Sequence, residues 1–207
     1  MLQSALPVAI QTMVMQEQGT TIYYPQVFGL PNSQAQQSIN QAIFDMAHVL
    51  RQQQYNQQNT DAFTEMIGTF EIKTNQRHVL SLTLTNYAIA YQHANGLSLM
   101  ASLTFDTHTG KSFSLQDLFK PGSHYTTVLS QNVQRQIDKR DIPLLHGFPG
   151  IAPNQMFYIA DKALVLYFQP YEITPGYIGA PMFPVSVYDV QNLVEENGPF
   201  GRMAGTG

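Results

Sequence analysis

Cysteine is absent from the 207-residue chain. That excludes disulfides, thiolate metal sites and cysteine nucleophiles. Charge is scarce as well: Asp, Glu, Lys and Arg make up 12% of the residues, about half the roughly 25% of an average globular domain. The ten Lys and Arg are scattered along the chain, so no basic stripe exists for a phosphate backbone and nucleic acid is excluded as a partner. Long apolar runs are missing too. No stretch approaches the roughly 20 residues that a membrane-spanning helix needs. The start, Met1-Leu2-Gln3-Ser4-Ala5-Leu6-Pro7, has no basic segment and only a very short apolar one, which makes a poor signal peptide. The expectation is an extracytoplasmic chain, in the cell envelope or secreted, if an export segment was trimmed, and a cytoplasmic one otherwise. A lack of thiols is compatible with both.

Apolar residues are plentiful, with 43% hydrophobic and 11% aromatic. This is enough to bury a sizeable core in one domain or two small packed ones. Gln, Asn, Ser and Thr take the place of the missing charges. A net charge of only −4 with this apolar content argues against disorder.

Val8, Ile10, Met13 and Met15 suggest a first strand, and Thr21 to Val27 a second, with Pro25 marking an edge or strand end. Asn32 or Ser33 caps a helix whose apolar stripe is Ile39, Ala42, Ile43, Met46, Ala47 and Leu50. The Gln-rich stretch Gln52 to Gln58 reads as a frayed helix end or loop. Met66–Lys73, Val79–Tyr91 and Leu97–Phe105 read as an antiparallel meander of half-buried strands, with a turn at Asn75-Gln76. Asp106 to Lys111 is a tight turn, Ser114 caps a short helical turn, and Ser123 caps a second helix running to about Lys139. After a Pro- and Gly-rich loop over 141–154, strands are expected at Met156–Ile159, Ala163–Phe168 and Phe183–Tyr188.

Tyr167 to Gly179 packs three Tyr, two Pro, two Gly and one acid behind a buried strand. Tyr presents a rigid apolar face and a hydroxyl at low entropic cost, which suits recognition of proteins or glycans. Tyr167 and Phe168 alternate across the strand, so at least one is core, whereas Tyr171 and Tyr177 are flanked by Pro and Gly and expected outside. Tyr167, Gln169, Tyr171, Glu172 and Tyr177 are the candidate binding residues. A Glu partly buried among Tyr can act as a general acid, with Tyr171 or Tyr177 in support. Because no second carboxylate is identifiable, Glu172 reads instead as a hydrogen-bond acceptor that fixes the turn.

Other chemistry is thin. His48, His78, His93, His108, His124 and His146 show no metal-ligand spacing. Asp138 with Asp141, and Glu195-Glu196, read as solvated acids. There is no Gly-x-Ser-x-Gly and no phosphate loop. No catalytic residue, metal or cofactor is indicated.

Four segments occur in a fixed order: Phe105 to Lys111, Leu115 to Gly122, Phe157-Tyr158-Ile159, and Leu166 to Ile173. With Tyr24-Pro25-Gln26-Val27 and Ile39-Asn40 upstream, they resemble the bacterial envelope domain found outside the membrane in the lysozyme-sensing anti-sigma-V factors. The same modules precede the catalytic domain of some peptidoglycan deacetylases. The resemblance covers about residues 8–195. It implies a non-enzymatic binding or sensor module for a protein, lysozyme-like, or a cell-wall polymer. Within these residues there is no membrane span, sigma-binding segment or deacetylase domain. The alternatives are a wall-glycan enzyme using Glu172, and a subunit that self-associates through exposed strand edges.

The fold expected is α+β: a mainly antiparallel sheet carrying two principal helices, in two intimately packed modules. The first spans residues 1–105, the second, with the aromatic motif, 106–196, and 197–207 form a flexible tail.

Overall fold

The computed structural model describes residues 7–205. The segment Met1–Leu6, on which most of the signal-peptide reading falls, lies outside them. A five-stranded sheet is formed by β1 (Ala9–Glu17), β2 (Thr20–Phe28), β3 (Phe63–Gln76), β4 (Val79–Ala90) and β5 (Leu97–Asp106), in that spatial order. All neighbours are antiparallel except β2 and β3, which run parallel over three residues, Thr20–Ile22 against Met66–Gly68. Helix α1 (Ser33–Gln58) covers one face. A second sheet, β6 (Phe157–Ala160), β7 (Ala163–Tyr167) and β8 (Met182–Ser186), is antiparallel with β7 in the centre. Helix α2 (Tyr125–Lys139) packs on it, and a single helical turn, α3 (Gly201–Ala204), closes the described chain. The α+β expectation holds. No helix among the described residues is long and apolar enough to cross a membrane.

Helix α1 starts where Asn32 accepts hydrogen bonds from the N–H groups of Gln34 and Ala35, meeting two donors that the first turn leaves unpaired. Its buried stripe is Ala35, Ile39, Ile43, Ala47, Leu50 and Gln54. The helix therefore runs through the stretch expected to fray. Gln54 sits at the next helical position after Leu50, fully buried, and its amide donates to the carbonyls of Asn86 and Leu97. The polar composition of Gln52 to Gln58 suggests fraying because hydropathy cannot see a backbone carbonyl waiting for a donor.

The meander also differs from the half-buried strands expected. Along β4 the apolar residues Leu80, Leu82 and Leu84 face the α1 core, but Ser81 and Thr83 on the other face are buried as well. The second sheet lies over them. Ser81 Oγ accepts from the N–H of Ile159 at 2.9 Å, and Thr74 Oγ1 from that of Asp161 at 2.8 Å. Hydroxyls that read as a solvent face are the seam between the two sheets. The β3–β4 turn is Arg77-His78, not Asn75-Gln76: Gln76 pairs with Val79, and Arg77 and His78 both take left-handed φ, 53° and 61°. Two-residue hairpins need that backbone whatever side chain supplies it. His124, not Ser123, precedes α2 at its N-terminus, without a capping side-chain bond.

Pro25 lies in β2 past its three-residue ladder with β3, where a missing N–H costs no pairing. Beyond that ladder β2 is held by a side chain. Asn40 of α1 accepts from the N–H of Val27 and donates to its carbonyl, at 2.8 and 2.9 Å.

The segment expected to be a loose tail is docked over its described part. Phe200 and Met203 are buried in the α2 core, Arg202 pairs with Asp106 at 2.8 Å, and Arg77 donates to the carbonyls of Arg202 and Gly205. Gly-rich composition hid two apolar anchors. The Asp106 turn docks at the start of α1 too: a side chain on Gly110 would stand 2.8 Å from the Cα of Ala35.

Two measurements check this packing. Gln54→Ala removes the donor from the buried Asn86 carbonyl and the half-buried Leu97 carbonyl and is expected to cost about 2–4 kcal/mol in urea unfolding; a loss below about 0.5 kcal/mol would contradict the role given to Gln54. Burial raises the pKa of Asp106, but the N–H groups of Thr109 and His108 and the Arg202 guanidinium outweigh it and hold the carboxyl below its ordinary value of 3.8. Stability from this group is complete above that value and is lost as the pH falls through the lower folded-state value. Asp106→Asn is expected to lose less stability than wild type between pH 7 and about pH 3, measured by thermal unfolding. Equal pH dependence of the two proteins would refute the linkage.

Candidate functional site

The aromatic motif begins inside the molecule. Tyr167 closes β7 with its ring fully buried, and its hydroxyl donates to Ser102 Oγ at 2.9 Å. Burial pushes its pKa well above the ordinary tyrosine value, and the Ser102 bond only partly opposes this. Phe168 points the other way, edge-on to Phe148 and Phe183. Both members of the pair are core, in different clusters.

Gln169 leaves the strand and caps another. Its amide oxygen accepts from the N–H of Met100 on β5, and its amide nitrogen donates to the Met100 carbonyl. The chain then turns sharply. Glu172 accepts the Gln169 N–H at 2.7 Å, while the Glu172 N–H returns to the Gln169 carbonyl at 3.1 Å. The carboxylate is exposed and occupied as a clasp on the backbone.

The turn forces Tyr171 to φ 67°, a left-handed conformation costing a bulky residue about 1–2 kcal/mol. Its ring lies against Gly176, where an added Cβ would come within 2.0 Å of the ring. Tyr171 nonetheless keeps 65% of its surface exposed, and Tyr177, on the next turn (Gly176–Ile178), 80%. The loop is shut at its base by the Phe168 N–H donating to the Pro181 carbonyl. It is braced from outside by the Leu145 N–H on the Ile173 carbonyl.

The five candidates therefore do not form one site. Tyr171 and Tyr177 stand outward on a braced loop, and Glu172 holds that loop together. Tyr167 and Gln169 face inward, lining a cleft of about 320 Å³ between α1, β5 and the chain leading into β6. The other cleft residues, among them Met46, Val49, Gln53, Phe113 and Met156, were missed because they lie on four separate segments, each reading as ordinary helix, strand or loop. Of the histidines, His78 and His108 approach with ring centroids 6.0 Å apart, but among the described residues no three His, Asp or Glu side chains cluster as a metal site would require.

A family profile described as a protein of unknown function (DUF3298) matches residues 116–188. Anti-sigma-V factor RsiV of Bacillus subtilis (strain 168) is 27% identical over an alignment 184 positions long, which covers 82% of this chain and 63% of that protein. The chain thus spans less than two thirds of the length of this relative. The resemblance to the anti-sigma-V factor read from the sequence holds. Two crystal structures share the fold, each at 13% identity: a DUF3298 member from Bacteroides fragilis, with TM-score 0.69 over 96% of this chain and 98% of that one, and one from Pseudomonas aeruginosa, with TM-score 0.67 over 93% and 96%.

Gly176→Ala tests the geometry of the outward loop. The new methyl group is expected to expel the Tyr171 ring, removing its ring-current shift on neighbouring protons in NMR spectra, while global stability changes by less than about 1 kcal/mol. Unchanged Tyr171 resonances would contradict the packing.

Proposed function

We propose that the chain is a non-enzymatic bacterial cell-envelope binding or sensor module, and that Tyr171 and Tyr177 are its contact residues. The observation that carries this reading is the held exposure of two large aromatics. Tyr171 is kept left-handed by the Glu172 clasp, pressed on Gly176, and still 65% exposed. A strained, presented side chain is a feature that folding alone does not require. Aromatic anchors on a rigid loop lose little entropy on binding and contribute strongly to interfaces. The ligand classes that fit are a protein, lysozyme-like, or a cell-wall polymer. Similarity to an anti-sigma factor favours the protein, and it supports an extracytoplasmic setting. In this reading residues up to about 105 and from 106 to 196 act as two modules, the second carrying the contact loop.

Calorimetry with lysozyme and with soluble peptidoglycan fragments tests the proposal. Binding is expected to one of them, and Tyr171→Ala with Tyr177→Ala is expected to weaken it at least about tenfold at unchanged melting temperature. A folded wild type that binds neither, or a double variant that binds normally, would overturn it.

A further inference from the structure

The open edge of β5 faces the inner cleft. Register with β4 is unbroken from Val79–Asp106 to Ala88–Leu97. In such a ladder alternate residues turn their N–H and C=O groups away from the partner strand. Three residues show which set this is. Met100 N–H and C=O go to Gln169, the Thr104 carbonyl accepts from Phe113 N–H, and the Asp106 N–H donates to the Lys111 carbonyl. Ser102 lies between them on the same edge. Its side chain is engaged with Phe157 and Tyr167, but no described residue takes up its main-chain N–H and C=O at that edge.

The walls suit a strand. Met46, Val49 and Gln53 of α1 stand on one side of the edge, Met156 and Phe157 on the other, and no Lys, Arg, Asp, Glu or His lines the cleft. The gap from Met100 to Thr104 is about 13 Å, the length of three to four extended residues. Gln169 shows the chemistry the edge accepts, since its amide satisfies Met100 as a paired strand residue would.

We infer that this cleft is a second binding site, distinct from the Tyr171 loop, that takes a short uncharged extended peptide as an added strand on β5, paired through Ser102. Main-chain pairing supplies affinity and the Met-lined walls take alternate side chains. An extended peptide residue meets the N–H and C=O of Ser102 together, side by side along the edge, and an anionic ligand finds no cation.

The test is a titration of the intact protein, followed by amide NMR, with the blocked peptide acetyl-Val-Thr-Val-amide, whose length matches the gap, and with a copy N-methylated at the central residue. A chitin tetrasaccharide serves as the glycan control. Expected are saturable shifts centred on Ser102, Ala101 and the Gln53 and Gln169 side-chain amides, weakened about fivefold or more by N-methylation, which removes one paired N–H. Val49→Arg, an exposed wall residue, is expected to abolish them while the remaining spectrum stays folded. Absence of shifts, shifts confined to the Tyr171 loop, indifference to N-methylation or to Val49→Arg, or perturbation of the same amides by the tetrasaccharide would each overturn the proposal.

Discussion

Side-chain carboxamides that pair with main-chain edges are the interaction on which this fold depends. Asn40 pairs with both polar groups of Val27, Asn75 with both of Val8, and Gln169 with both of Met100. Gln54 spans two carbonyls from α1, and Gln155 donates to that of Tyr167. A primary amide carries a donor and an acceptor on one plane, as a peptide group does, so it can continue a ladder where no strand is available. It does this without a charge to desolvate. At these five positions the carboxamide does what a charged side chain could not, because it offers donor and acceptor together and carries no charge into the interior.

These pairs also set the architecture of the binding surface. Gln169 is the first residue of the aromatic loop, and through Met100 it pins that loop to the first sheet. The hydroxyl seam of Ser81, Thr74 and Ser102 fixes the second sheet on the first. Tyr171 can be held in a costly conformation because both ends of its loop are anchored to packed strands. The same seam leaves the β5 edge facing a cleft whose two walls come from opposite faces of the sheet.

Much of this was legible in the residues. Period-two patterns placed the meander, the stripe from Ile39 to Leu50 placed α1, and turn chemistry placed Asp106 to Lys111. The outward position of Tyr171 and Tyr177 followed from their Pro and Gly neighbours. What escaped was tertiary. Gln54 and Ser81 look polar and therefore external, yet each meets a main-chain group from a distant segment. Phe200 and Met203 were hidden in a Gly-rich tail. Adjacency in sequence groups Tyr167 and Gln169 with Tyr171 and Tyr177 as binding candidates, whereas partners on the first sheet, Ser102 and Met100, turn them inward. The cleft could not be foreseen, since its lining is assembled from segments far apart in the chain.

Residue-resolved amide hydrogen exchange tests the central claim most directly. If carboxamides stand in for strands, the N–H groups of Val27 and Met100 are protected like interior ladder amides, while that of Ser102, two residues from Met100 on the same edge, exchanges at least about a hundredfold faster. Equal protection of Met100 and Ser102, or rapid exchange at both Val27 and Met100, would contradict the account.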